Sequence, residues 1–100
     1  MMRKIVFSSQ SKAHLDSLIA YLEVQFSNET KIKFILKFDK IINIIHKNPD
    51  IFPKSNSNKQ IRKCVVSKQT TLYYKYNNTE IRLLALFDTR QNPSKINKIK

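Results

Sequence analysis

The side chains able to do chemistry in this sequence are mostly cationic. Arg62, Lys63, Lys68, Lys75, Arg82 and Arg90 follow one another through the second half of the chain, interleaved with Tyr73, Tyr74 and Tyr76. Guanidinium groups hold phosphate oxygens in a fixed fork and tyrosines stack on bases, so this set has the make-up of a nucleic-acid or other polyanion surface. Tyrosines packed in a core beside solvated cations are the competing reading. Nucleophilic catalysis has less to stand on: Cys64 could pair with His14 or His46, but a cysteine between Lys63 and Val65 in a strand most often behaves as a small buried hydrophobe. Capping or surface roles suit both histidines better, His46 standing where a helix ends. Glu80 and Asp88 are the only acids after residue 50, at opposite ends of one strand, so no carboxylate pair is available for acid and base work.

The cofactor classes narrow in the same way. A lone cysteine closes no intramolecular disulfide, and two histidines far apart make no zinc spacing. Glycine is absent from all 100 residues, which removes the P-loop and the dinucleotide fingerprint, both of which need positive φ. The sequence predicts no metal and no cofactor. Apolar runs such as Ile41 to Ile45 fall far short of the roughly 20 residues a bilayer span needs, and Met1 to Phe7 lacks the apolar core of a signal peptide. A cytoplasmic protein with no membrane partner is expected.

The elements that must carry these residues can be read from periodicity. Arg3 to Ser8 has the alternation of a short strand, and Ser8, Ser9 and Ser11 offer N-cap oxygens for a following helix. Leu15, Leu18, Ile19, Leu22 and Phe26 fall on one helical stripe running to about Gln25. From near Glu29, the residues Phe34, Ile35, Phe38, Ile41, Ile42 and Ile45 define a second helix that stops before Pro49. The short connection predicts an antiparallel helical hairpin. Pro49 to Lys59 reads as a loop. Gln60 to Val66, Thr70 to Tyr76 and Glu80 to Phe87 are rich in β-branched and aromatic residues and read as strands. A tight turn at Asn77-Asn78 suits asparagine's tolerance of positive φ. In the last strand Ile81, Leu83, Ala85 and Phe87 alternate with Arg82, Leu84 and Leu86, so both faces are apolar and the strand should be central. The prediction is an α+β fold of order β-α-α-β-β-β, with the hairpin on one face of a mostly antiparallel sheet. One domain should span 1–93, followed by a basic tail over 94–100 that orders only on binding.

Charge is concentrated where the strands are. Residues 1 to 50 carry 8 basic and 5 acidic side chains, and residues 51 to 100 carry 11 and 2, so +9 of the net +12 lies in the second half. Such a field suits a polyanionic or acidic partner. Arg90 is placed differently from the other cations. It follows the most hydrophobic strand, and Asp88 and Thr89 beside it can fix the turn, so it should be held more rigidly than a tail residue.

The stretch "IRKCVVSKQTTLYYKYNNTEIRLLALFDTRQNP", Ile61 to Pro93, resembles the C-terminal half of RelE/ParE-family toxins of bacterial type II toxin-antitoxin modules. It has an Ile-Arg before a short apolar strand, a Leu-Tyr-Tyr strand, a hairpin, and a last strand ending in Thr-Arg. With "NPDIFPKS", Asn48 to Ser55, the resemblance covers nearly the whole chain. It implies a plasmid-stabilisation toxin that inhibits growth, with an acidic cognate antitoxin as partner. RelE-like members cleave mRNA in the ribosomal A site and ParE-like members poison DNA gyrase. The ribonuclease branch uses basic groups on the second and third strands, an arginine after the last strand, and often a C-terminal tyrosine. Arg90 matches the late arginine and Arg62 the first basic group, with Lys63, Lys68 or Lys95 as helpers. Cys64 and Thr71, however, stand where that branch has further basic residues, no tyrosine follows Tyr76, and Ile96 lies near the expected place. Losing members of a constellation that acts as a unit costs orders of magnitude in rate. The ParE-like reading is favoured, with gyrase engaged through Arg62, Lys63, Lys68, Arg82, Arg90 and Lys95. Ribosome-dependent cleavage of mRNA, or a non-toxic basic nucleic-acid-binding domain, are the alternatives.

Overall fold

The computed structural model describes residues 3–91; the basic tail, and Lys95 with it, lies outside the described residues. The strand β1 (Lys4–Phe7) leads into helices α1 (Ser9–Gln25) and α2 (Asn28–Lys47), followed by strands β2 (Arg62–Val65), β3 (Thr70–Tyr76) and β4 (Glu80–Asp88). The four strands form one sheet in the order β1-β4-β3-β2. β1 runs parallel to β4, and the other two pairings are antiparallel. The α+β fold and the central place of β4 are as the sequence predicts. Among the described residues no helix is long and apolar enough to cross a membrane.

Each helix starts on a serine. The Ser8 side chain accepts the Ser11 N–H and the Ser27 side chain accepts the Thr30 N–H, both at 3.0 Å, satisfying donors that a helix start leaves unpaired. Without a glycine to end it, α1 closes with the Phe26 and Ser27 N–H groups both donating to the Leu22 carbonyl. The chain then doubles back into α2. Leu18, Leu22, Phe34, Phe38 and Ile45 pack on Cys64, Val66, Leu72, Tyr74, Ile81, Leu83 and Leu86 to form the core between hairpin and sheet. Complete burial of each such aliphatic side chain contributes about 1.5–3 kcal/mol. Phe26 and Ile35, expected on the buried stripes, are instead exposed. Phe26 lies just past the end of α1, and Ile35 falls on the flank of α2.

Three local expectations are corrected. The pairing of β3 with β4 skips a residue: Tyr73 faces Ala85 and Tyr74 faces Leu83, leaving Leu84 as a bulge. Beyond the bulge the faces exchange, so Leu86 joins Ile81 and Leu83 in the main core while Ala85 and Phe87 pack with Tyr73 on the opposite side. Simple alternation fails because a bulge inserts one residue into a period of two. The turn between β3 and β4 uses no positive φ among the described residues. Asn77 instead turns the chain with its side chain, Oδ1 accepting from the N–H groups of Thr79 and Glu80 at 2.9 Å. β2 is also shorter than the stretch Gln60 to Val66. Its outer edge is met by the preceding loop, the Lys63 N–H donating to the Pro53 carbonyl and the Ser55 N–H to the Ile61 carbonyl.

β1 ends opposite Leu83, which would leave the last turnless half of β4 with an open edge. Side chains from the start of α1 fill it. The Ser8 hydroxyl donates to the Leu84 carbonyl at 3.1 Å, and the Leu86 N–H donates to His14 Nδ1 at 3.2 Å. The His14 ring rests on Phe87, centroids 5.0 Å apart. An accepting Nδ1 carries no proton. His46 bonds the Arg3 carbonyl through Nε2 at 2.7 Å. Both histidines tie the sheet to the helices, a closer engagement than surface positions would give.

Candidate functional site

The end of β4 is built around a buried carboxylate. Asp88 is 3% exposed. It accepts from the Thr70 hydroxyl at 2.6 Å, from the Arg90 N–H at 2.9 Å, and from Arg90 Nε and Nη2 at 2.9 and 2.6 Å. Burial alone would raise its pKa, but the Arg90 guanidinium, the Thr70 hydroxyl and the Arg90 amide outweigh that and hold it below the ordinary carboxylate range. The hydrogen bonds that the Arg90 guanidinium donates to Asp88 in turn raise the Arg90 pKa. Arg90 is gripped from other sides as well. Its carbonyl accepts from the Tyr21 hydroxyl at 3.0 Å, and its guanidinium carbon lies 5.3 Å from the centroid of the Phe26 ring. The rigid strand-end arginine inferred from sequence is present, clamped by a bidentate ion pair.

Arg62 is engaged just as closely, elsewhere. Its Nη1 donates to the Phe52 carbonyl at 2.8 Å and its Nη2 to Asp50 Oδ1 at 3.0 Å. The Tyr76 hydroxyl bonds the same Asp50 oxygen, and the Arg3 and Arg62 guanidinium carbons lie 5.1 and 5.7 Å from the Tyr76 ring centroid. Tyr74, fully buried, donates to the Pro49 carbonyl at 2.7 Å. Burial pushes its hydroxyl up to about 12 against the opposing pull of Arg62, so it remains a donor. Together these residues fasten the loop after α2 onto the sheet. Arg62 is level with Tyr74 and Asp88 with Thr70, four residues apart along β3, or roughly 13 Å at a strand's rise. The two arginines therefore do not converge.

Cations without this degree of engagement lie on the sheet face opposite the helices. Lys63 and Lys75 are exposed and Arg82 is half-buried. Lys75 is paired across the strands with Arg82, and both line a hollow of about 220 Å³ with Tyr76, Asn77 and Glu80. The Arg82 Nε donates to Glu80 at 2.9 Å. A larger groove of about 510 Å³ lies between Lys75, Leu84 and Ile61 on one side and Ser8, Ser9 and Gln10 on the other. Tyr73 and Tyr74 offer no stacking platform, being 2% and 0% exposed. Lys68 stands on the turn between β2 and β3, and so is separate from both arrays. Lys33 and Lys37, which line a cleft with Arg90, were not singled out in the sequence; their four-residue spacing on α2 is the signal that could have found them.

Cys64 is fully buried in the main core, and burial pushes its thiol up to about 12. Folded protein treated with iodoacetamide at pH 8 should stay unmodified by mass spectrometry, and the same protein in denaturant should be labelled quickly. Labelling at equal rates in both states would show the thiol to be accessible.

Two helices laid on a β1-β4-β3-β2 mixed sheet define the RelE/ParE-like toxin fold. Solved structures carry the likeness: a chain of the chromosomal ParDE toxin-antitoxin system from P. aeruginosa superposes with a TM-score of 0.73 at 12% identity, over 87% of this chain and 96% of that one. The E. coli DinJ-YafQ toxin-antitoxin complex gives 0.64 at 15% identity, over 92% and 98%. The YoeB dimer from Staphylococcus aureus gives 0.60 at 16% identity, over 85% and 94%. No protein-family model matches the chain, and no curated protein matches it in sequence. At these identities the common property is the fold.

Proposed function

We propose that this chain is the toxin of a type II toxin-antitoxin module that stabilises plasmids, acting in the cytoplasm on DNA gyrase and silenced by an acidic cognate antitoxin. Residues 1–93 form the toxin domain and 94–100 its basic tail. Resemblance in fold to chains from ParDE and DinJ-YafQ systems supports the toxin class and the antitoxin partner. The choice of gyrase is carried by one observation: Arg62 and Arg90, the two arginines a ribonuclease would need, are each paired with a carboxylate of this chain and stand far apart along the sheet. A phosphate in flight needs cationic donors that converge on one point. Cys64 on β2, buried in the core, and Thr71 on β3 supply no charge at the positions where the ribonuclease branch carries its further basic groups.

Gyrase is then contacted through the cations on the sheet face opposite the helices, the exposed Lys63 and Lys75 and the half-buried Arg82, with Lys68 and Lys95 adding to the field. No metal or cofactor enters this reading. The purified protein should block supercoiling by gyrase, leaving relaxed or cleaved plasmid, and its induction in cells should arrest growth and trigger DNA-damage signalling. Codon-phased mRNA breaks with normal supercoiling would overturn the gyrase reading in favour of ribosome-dependent cleavage. Vigorous growth on induction would overturn the toxin reading altogether.

A further inference from the structure

We propose that the cleft between α2, the β2–β3 turn and Arg90 is a seat for an acidic side chain of a partner protein, a glutamate carried on an amphipathic segment. It measures about 170 Å³ and is lined by Leu22, Thr30, Lys33, Phe34, Lys37, Ser67, Gln69 and Arg90. No carboxylate is among the lining residues. Thr30, Lys33, Phe34 and Lys37 follow the i, i+3, i+4, i+7 spacing of one helix face, so both lysines overhang a floor made by the buried Phe34 and Leu22. Lys68, exposed on the turn between Ser67 and Gln69, adds a further charge at the rim.

Nearby carboxylates do not cancel this field. Asp88 takes Nε and Nη2 of Arg90 and leaves the Nη1 donors over. Glu29 pairs with Lys33 at 3.2 Å, but both side chains are about three-quarters exposed, where such a pair contributes little. Lys33, Lys37, Lys68 and Arg90 thus outnumber Glu29 and Asp88 by four to two. The occupant's other properties follow from size and lining. Pockets that take small molecules hold about 300 Å³ or more, so this cleft accepts one side chain and is too small for a nucleotide. Its apolar floor suits the methylene stem of a glutamate. The half-exposed Phe26 ring against the Arg90 guanidinium offers a neighbouring apolar residue a place to land. This gives the antitoxin of the preceding section a point of attachment, and the identity of the natural occupant rests on that reading.

The test uses the full chain and a short synthetic amphipathic helix of leucine and glutamate, followed by amide chemical shifts. Saturable shifts should concentrate at Thr30, Lys33, Lys37, Ser67, Gln69 and Arg90. A glutamine-for-glutamate peptide should bind at least about tenfold more weakly. Lys33→Glu combined with Lys37→Glu should abolish the shifts, while thermal melting shows the fold retained. The inference is overturned by absence of saturable binding, by shifts spread equally over Lys63, Lys75 and Arg82, or by binding indifferent to the double charge reversal. It is also overturned if a single-stranded oligonucleotide displaces the peptide from the same residues. None of these readings depends on toxicity, so failure here leaves the gyrase proposal standing, and loss of that proposal leaves the cleft to be judged on its own binding.

Discussion

Asp88→Ala is expected to lower the stability of the domain by about 3 kcal/mol, at the lower end of the cost of breaking a buried ion pair, and to lower the melting temperature by roughly 15 °C. The deleted carboxylate is the acceptor for four hydrogen bonds from Thr70 and Arg90. Its loss leaves the Thr70 hydroxyl buried without that acceptor. The Arg90 side chain, 23% exposed, recovers part of its hydration, which keeps the figure from being larger. Asp88→Asn should cost less, because it retains an acceptor for Thr70. The pH dependence has a definite sign. A carboxyl whose folded pKa lies below its unfolded value, about 3.9, contributes stability that is fully present above that value and is lost as the pH falls through the folded one. Chemical denaturation of the native protein should show this loss below about pH 4, and Asp88→Asn should flatten it. An unchanged acid limb in the variant would mean that Asp88 is not the group responsible.

Arg90→Ala removes the counter-ion of the fully buried Asp88 carboxylate, so a fall in melting temperature should accompany any fall in toxicity. Measurements of toxicity must be made per folded molecule.

The second large effect concerns the target. Lys63→Glu together with Lys75→Glu should weaken gyrase inhibition about 100-fold, from about 1.4 kcal/mol lost at each site, since reversal replaces attraction with repulsion across a complementary surface. Both side chains are exposed and away from the core, so the melting temperature should barely move. An inhibition constant within twofold of the native protein's would place the gyrase contact on the helices or the tail.

Much of the architecture could be read from residue patterns because each element carries redundant signals. α2 is announced by Phe34, Phe38, Ile41, Ile42 and Ile45 at helical spacing, all of which reach the core, and by Pro49 beyond its end, while its N-cap Ser27 carries no distinguishing mark in the sequence. β4 is announced as central by apolar residues on both faces. That redundancy hides the bulge: with Leu83, Leu84, Ala85 and Leu86 all apolar, no residue marks where the phase changes. The site was less legible for a different reason. Arginine types and positions are visible in a sequence, but their partners are not. Asp50 meets Arg62 only because Tyr74 and Tyr76 draw the intervening loop onto the sheet. Asp88 grips Arg90 from two residues away, a local pair that was open to inference. The burial of Tyr73 and Tyr74 depended on which face each strand position took.

The extra residue at Leu84 also affects how this chain can change length over evolutionary time. On either side of it the strands are in continuous register, Thr70 to Tyr73 against Ala85 to Asp88 and Tyr74 to Tyr76 against Ile81 to Leu83. Excision of Leu84 would restore strict alternation and leave every other side chain of β4 on its present face. A single-codon deletion at a more distant point would exchange faces for the residues between the cut and the bulge, exposing core and burying charge. Leu84 is therefore the one position of β4 whose removal the present register accommodates without exchanging faces. Length variants should accumulate there first, with the core below and the aspartate clamp above inherited unaltered.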